Sequence, residues 1–272
     1  MFKQVILISF LGLVLPTLVN AELILTAPPR ETEEAGMKLY GPLAKFLTAK
    51  LGQTVTYRHP KDWKDYEDQM KKGGYDIIFD GPHFAAWRIE TNQAEPLVKL
   101  PGNLDFSLVV KKTETDVIKT RDLVGKKVCT LPSPNLGAMT LYAMFPNPVR
   151  QPEFVMVRGG MKQVAQNLQQ GACVAAIMRR GFYAKKLDVA MRNSLRVLET
   201  SEALTNQGIT VSRKVPTGVK QIMLTSLTDD QGKLAAKPLF ERFSSKAQAF
   251  VPASMADYEN QNLLRENMIF GW

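Results

Sequence analysis

Histidine and cysteine are nearly missing from this chain of 272 residues, which holds two of each. His59 and His83 stand alone, and Cys129 and Cys173 are not in a Cys-x-x-Cys pair. A zinc cluster or a thioredoxin-like couple cannot be assembled from that inventory. There is also no Ser-His-Asp or Cys-His arrangement at a recognisable spacing and no glycine-rich phosphate loop. No catalytic residue, metal site or cofactor is therefore assigned, and an enzyme is disfavoured. Asp62, Asp65 and Glu67 lie close in sequence, but such a group reads as a solvated helix face. The net charge of +9 comes without a dense Lys/Arg block, since Lys71-Lys72, Lys126-Lys127, Arg179-Arg180 and Lys185-Lys186 are scattered. A generic basic surface explains that charge, or an attraction for anionic solutes or an anionic membrane surface. Without an aromatic-basic stripe, nucleic acid is excluded as a partner. Internal repeats and low-complexity segments are absent as well.

What is present begins at the N-terminus. Met1-Phe2-Lys3 is a basic start, Val5 to Leu15 an apolar run, and Val19-Asn20-Ala21 a stretch of small residues. This is the pattern of a secretory signal peptide cut after Ala21. Pro16 and Asn20 keep the apolar run short of the roughly 20 residues that a membrane span needs. No Cys follows it to carry a lipid, so the mature chain is expected to be soluble and exported. In an oxidising compartment an even cysteine count favours a Cys129–Cys173 bridge, and two buried free thiols are the other reading.

From Leu23 onward, strand-like and helix-like segments alternate. Strands are expected at Leu23–Ala27, Val55–Arg58 and Asp76–Phe79, and helices at Glu34–Leu51, Trp63–Lys72 and from His83. Pro42 places the true start of the first helix near Tyr40 or Gly41. A second series gives strands Phe106–Val110, Lys127–Leu131, Phe154–Val157 and Cys173–Met178. Its helices are Gly137–Met144, Met161–Gln169 and Phe182–Val189. After strand Gly208–Ser212 the tail reads as helical at Val219–Leu227, Lys233–Ser244 and Met255–Met268. Such alternation argues for parallel sheets covered by helices. The order suggests two lobes, 22–104 with 205–272 and an inserted 105–204, crossed near Pro101–Phe106 and Glu199–Gln207. The most informative stretch is Tyr75–Trp87, where a buried strand stops at Asp80-Gly81-Pro82 and feeds a helix at once. That turn is either a bare βα connection or one wall of a ligand cleft, since open α/β folds bind ligands at the carboxyl ends of their strands.

Tyr40-Gly-Pro-Leu-Ala-Lys-Phe-Leu47 with Leu51-Gly52 resembles the Y-x-P-L-A-x-Y-L…L-G helix of phosphonate/phosphite-type periplasmic substrate-binding proteins of ABC transporters. Tyr75 to Phe84 resembles that family's DI…GP strand and turn. Leu123-Val-Gly-Lys-Lys-Val128 resembles its D-L-x-G-K-x-V entry to the second lobe, and Gly171–Ile177 its G-x-V-D-A strand. The likeness spans about residues 22–215. It implies a type 2 periplasmic-binding-protein fold: an α/β protein of two lobes, each a mostly parallel sheet flanked by helices, with two crossovers. It also implies a monomeric protein of the periplasm that captures a small anionic or polar ligand between its lobes and hands it to an ABC transporter permease. A sensor of the same fold, presenting its closed form to a membrane receptor, is the alternative.

The site residues depart from the family pattern. Where the family has Ser-Thr-Ser-Gly at a helix start, this chain has Pro132-Ser-Pro-Asn-Leu-Gly-Ala138. Ser133 is the single hydroxyl there, with Asn135, Leu136 and the N–H groups of Gly137 and Ala138 remaining to favour a negative group. The family's Gly-Ser-His-Asp aligns with Gly159-Gly160-Met161-Lys162, so Met161 stands in place of an oxyanion-binding His. Its Pro-Asn-Asp aligns with Thr205-Asn206-Gln207, so Gln207 supplies no charge for an amino group. Aminoalkylphosphonate, phosphate and phosphite lose support, and a carboxylate gains. On the other wall Arg30 either clamps an anion or is a solvated loop residue. Tyr40 either faces the cleft or packs its helix. Gly81 and Pro82 shape the turn, and His83 at the helix start is expected to be neutral. Trp63, Trp87 and Tyr183 read as core more than site, as do Met139 and Met144.

Overall fold

The computed structural model describes residues 21–244 and 247–264. The expected signal peptide, residues 1–21, lies outside those residues apart from Ala21. Among the described residues no helix is long and apolar enough to cross a membrane.

The chain runs β1 (Leu23–Thr26), α1 (Glu33–Leu51), β2 (Val55–Tyr57), α2 (Trp63–Lys72), β3 (Ile77–Asp80), α3 (Pro82–Glu90) and β4 (Ala94–Lys99). It continues through β5 (Asn103–Leu104), β6 (Phe106–Lys111), β7 (Lys127–Thr130), α4 (Leu136–Met144), β8 (Glu153–Met156), α5 (Met161–Gln169) and β9 (Ala175–Arg179). Then come α6 (Arg180–Lys185), α7 (Val189–Ser194), β10 (Leu195–Thr200), β11 (Leu204–Thr205) and β12 (Gly208–Ser212). The last elements are α8 (Thr217–Thr228), α9 (Asp230–Ala235), α10 (Lys237–Phe243) and β13 (Val251–Pro252).

These strands form a six-stranded sheet, β13-β4-β12-β3-β1-β2, and a five-stranded sheet, β10-β6-β9-β7-β8. A short ribbon of β5 against β11 carries the two passages of the chain between them. Both sheets are buried on both faces, which the period of two along each strand makes visible. Leu23, Leu25, Ile77 and Phe79 face α1 and the C-terminal helices, while Ile24 and Ile78 face α2 and α3. In the second sheet Leu108, Val110, Val128, Ala175 and Ile177 pack under α4, and Val109, Cys129, Ala176 and Met178 pack under α5. Continuous apolar runs, rather than alternating ones, follow from that double burial.

In each sheet most strands run in one direction, with antiparallel strands let in among them. β1, β2 and β3 run parallel, as do β7, β8 and β9. β12 enters the first sheet antiparallel between β3 and β4, and β6 enters the second antiparallel between β9 and β10. The reason is the crossover. Strands that end at the cleft share one direction, and a strand that starts from the connecting ribbon must run the other way.

Local sequence rules mark most of the element ends, with instructive exceptions. α1 begins at Glu33 rather than near Tyr40, because Thr32 caps it through Ala35 N–H at 3.3 Å. Pro42 sits inside the helix on its exposed side, above exposed Lys38, so the carbonyl that Pro42 leaves unpaired can turn to water. Phe182–Val189 is divided into α6 and α7, because the Asp188 side chain caps a new helix at Met191 N–H, 3.1 Å away. Lys233–Ser244 is divided at Ala236, where Pro238 starts α10. Of Met255–Met268 the part up to Leu264 lies within the described residues, and there the expected helix is a 3₁₀ turn, Met255–Tyr258, followed by irregular chain. Pro96 conceals β4 in the sequence, and the register with β12 shifts opposite it, between Ile209 and Thr210. Cys129 in β7 and Cys173, just before β9, form a buried disulfide with Cα atoms 5.7 Å apart.

Candidate functional site

The carboxyl ends of the parallel strands of both sheets face one another across a cleft of about 560 Å³. The first wall is built from the loop after β1 and the turn after β3. Asp80, the last residue of β3, is fully buried and accepts two hydrogen bonds from Arg88 of α3, at 2.7 and 2.9 Å. The hydroxyl of Tyr66 donates to Asp80, and Arg88 also reaches Thr210 Oγ1 at 2.7 Å. This network ties strand end to helix and fixes the Gly81-Pro82-His83 turn between them. Burial opposes the Arg88 charge, yet the Asp80 carboxylate outweighs it and the pKa of Arg88 rises.

Gly81 must be small. A Cβ there would stand 2.8 and 2.9 Å from the His83 ring, and 3.9 Å from the Arg30 guanidinium. His83 is 2% exposed, and its Nε2 lies 3.1 Å from the carbonyl of Pro134 on the far wall. A carbonyl only accepts, so Nε2 carries the proton and Nδ1 is left as a buried acceptor with no partner. Arg30 Nη1 and Gln207 Oε1 are likewise buried without partners. Burial lowers the pKa of His83 to about 3, and Arg30 and Arg88 add to the effect while the Pro134 carbonyl opposes it. The ring is neutral at any physiological pH.

That shift has a measurable consequence. With an ordinary value near 6.5 in the unfolded chain, His83 binds its proton first on unfolding. Stability is complete above pH 6.5 and falls as the pH drops toward 3. By pH 4.5 this one group should cost about 2–3 kcal/mol. Urea unfolding of the native protein and of His83→Gln from pH 7 to 4.5 checks it, with a shallower loss in the variant. Parallel pH profiles would reject the assignment.

The second wall is the loop Leu131–Asn135, the start of α4, and Arg158-Gly159-Gly160-Met161 ahead of α5. Asn135 Oδ1 accepts from Gly137 N–H at 2.9 Å, so two of the expected ligand groups are engaged with each other. Gly159 and Gly160 have φ of +95° and +86°, a left-handed path that side chains disfavour.

Of the residues singled out in the sequence, the cleft brings together Arg30, Gly81, His83, Ser133, Asn135, Leu136, Gly160, Met161 and Gln207. Tyr40 does not line it: the ring is fully buried behind the first wall, stacked on Tyr57 at 5.0 Å and beside Phe79. Pro82, Gly137 and Ala138 are also set behind the lining, Gly137 beneath the Phe106 ring. Trp63 does line the cleft while stacking on Phe84.

The larger difference lies in what the sequence left unnoticed. Arg158, Arg179 and Arg242 line the cleft together with Arg30, and no Asp or Glu among the described residues does so. Arg179 is the last residue of β9 and Arg158 lies two past β8, so both stand where strands meet ligands. That position was the signal available for them. Arg242 and Phe243 come from α10 at the other end of the chain and carried no such signal. Arg242 pairs with Glu31 at 3.1 Å, and it and Arg30 lie 5.0 and 5.7 Å from the centre of the Phe243 ring. The cleft is therefore a positively charged slot with apolar sides.

A family model described as the periplasmic substrate-binding protein of phosphonate ABC transporters matches residues 25–258. No curated protein sequence matches the chain. Among solved structures it is similar to XAC2383 from Xanthomonas citri bound to ATP, at TM-score 0.71 and 11% identity, covering 88% of this chain and 94% of that one. It is similar also to PhnD1 from Prochlorococcus marinus in complex with methylphosphonate, at TM-score 0.64 and 14% identity, covering 88% and 95%. A binding component of a phosphonate transporter from Pseudomonas aeruginosa follows at TM-score 0.56 and 12% identity, covering 89% and 83%. At such identities these likenesses concern the fold.

Proposed function

Because the chain belongs to the periplasmic substrate-binding proteins of phosphonate ABC transporters, we propose that it captures a small organic anion in its arginine-lined cleft and delivers it to a membrane permease. The observation that carries this reading is the lining itself, four arginines with no carboxylate among the described residues, together with the buried Arg30 Nη1, which has no partner among them. Charge-assisted bonds to such groups are the strong ones, and a water-poor cleft strengthens them further. Arg30 holds the anion from the first wall, while His83 Nδ1 and Gln207 Oε1 are acceptors for an N–H or O–H elsewhere on the ligand. Residues 22–104 with 205–272 form one lobe and 105–204 the other. The mature protein begins after Ala21, acts as a monomer in the periplasm and leaves its ligand chemically unchanged. The matched family supports capture for transport, and nothing in the comparisons supports the sensing alternative.

The test is thermal unfolding of the purified protein with alkylphosphonates, alkylsulfonates and carboxylates. A ligand at 100 times its dissociation constant should add about 2.7 kcal/mol of stability. Arg30→Gln should weaken that ligand by about tenfold or more, the worth of one hydrogen bond to a charge. Failure of every anion to raise the melting temperature would remove this reading, as would consumption of a bound compound by the protein.

A further inference from the structure

The arginines are not gathered at one point. Arg30 and His83 stand on the first wall. Arg158 and Arg179 stand on the second, and the register of the sheet places them with some exactness. β7 lies between β8 and β9, with Thr130 paired to Met156 and Cys129 to Ala176. The pairing with β8 extends past Thr130, since Val157 N–H donates to the Thr130 carbonyl at 2.8 Å. Counting onward, Arg158 and Arg179 both fall at the level of Pro132, one on each side of it. Both also share the side-chain parity of Val128, Ala175 and Ile177, the face beneath α4. With strands about 4.8 Å apart, their backbones are separated by roughly 10 Å, a span that two guanidinium side chains can close around one acidic group.

Among the described residues neither guanidinium is committed elsewhere. Arg180, not Arg179, takes the neighbouring carboxylate of Asp105, at 2.6 Å. Arg179 has no hydrogen bond or ion pair among the described residues, although burial lowers its pKa while Asp105 opposes that effect. Arg179 is half-buried and Arg158 exposed; two cations this close repel each other, and an anion between them relieves the cost. Phe106, Leu136 and Met161 supply apolar lining. A cleft of about 560 Å³ is in the range that accepts drug-sized ligands.

We propose that Arg158 and Arg179 form a second anion-binding point facing that of Arg30, and that the ligand is an organic dianion with an acidic group at each end of a short apolar body. This rests on the capture reading above and specifies what is captured. Neither arginine occupies a position that the family's Ser/Thr-rich helix start or oxyanion-binding His would have indicated.

The experiment is calorimetric titration of the full chain with two matched pairs: propylphosphonate against 3-phosphonopropionate, and pentanoate against glutarate. Within a pair the body is kept and one terminal methyl becomes a carboxylate. In at least one pair the dianion should bind about tenfold or more tightly, one charged hydrogen bond or better. In Arg158→Gln and Arg179→Gln that preference should vanish, the dianion losing about tenfold or more in affinity and the monoanion losing less. Arg158 is exposed, so its variant tests the idea without risk to the fold; unchanged melting without ligand confirms the same for Arg179→Gln. Equal binding within both pairs, or a preference that survives in both variants, overturns the second binding point and leaves capture standing. Binding by none of the four compounds overturns both.

Discussion

Arg88→Met should cost the folded protein about 3–5 kcal/mol, although Arg88 is not among the residues lining the cleft. The guanidinium is 2% exposed and the Asp80 carboxylate 0%, so removing one leaves the other charged and buried. The variant also strips a bond from Thr210 and leaves the Tyr66 hydroxyl facing an unneutralised carboxylate. Asp80→Asn should cost a comparable amount for the converse reason, an isolated buried cation. In Asp80→Asn with Arg88→Gln both charges are gone and a neutral hydrogen-bonded pair remains. The double variant should therefore lose at least about 1.5 kcal/mol less than the sum of the single variants. Urea unfolding of all four proteins measures the cycle. Additive losses would mean that the two residues do not act as a pair. Because the pair joins β3 to α3, the binding turn is also its dependant. Single variants that remain folded should bind ligand more weakly, through misplacement of His83 and Gly81.

The second large effect is that of the disulfide. Cys129 and Cys173 close a loop with a sequence separation of 44. In the chain-entropy account a loop of that length restrains the unfolded chain by about 4 kcal/mol. For a protein of this size that is a fall of roughly 10 °C in melting temperature. The double variant Cys129→Ala with Cys173→Ala should show it, and so should the native protein in reductant strong enough to open a buried bond. Reductant should leave the variant's melting temperature unchanged. If the native protein with its bridge intact and the variant melt together, the bridge contributes nothing. The bond lies between β7 and β9, whose ends carry the Pro132 loop and Arg179. Its loss should consequently weaken anion binding at the second wall more than at Arg30.

Much of the first wall could be seen in the linear chain. The run Ile77-Ile-Phe-Asp80 followed by Gly81-Pro82 marks a buried strand and a helix start within a few residues, and short-range rules of capping and burial are enough to locate them. The likeness to the family's motifs is why Ser133, Gly160 and Gln207 could be singled out, and the cleft lining includes all three. Tyr40 shows where that kind of inference stops. Its helix was found, but the face it turns inward depends on Tyr57 and Phe79, which sequence neighbours do not reveal. The mixed strand directions escaped for a similar reason, because a strand's polarity depends on which end of the sheet the chain enters from.

The sequence by itself determined the α/β order, the family likeness and the turn after β3, since each follows from patterns within a few residues or from spacing along one strand. It also limited the chemistry, because two histidines and two cysteines leave little material for catalysis or metals. Only the tertiary structure decided that the cleft is cationic. Arg30, Arg158, Arg179 and Arg242 are separated by as much as most of the chain, and although Arg30, Arg158 and Arg179 each follow or end a strand, nothing local shows that the four converge on one cleft. Charge acts over distances in space, so the residues that set the character of the site were the ones that the linear order concealed.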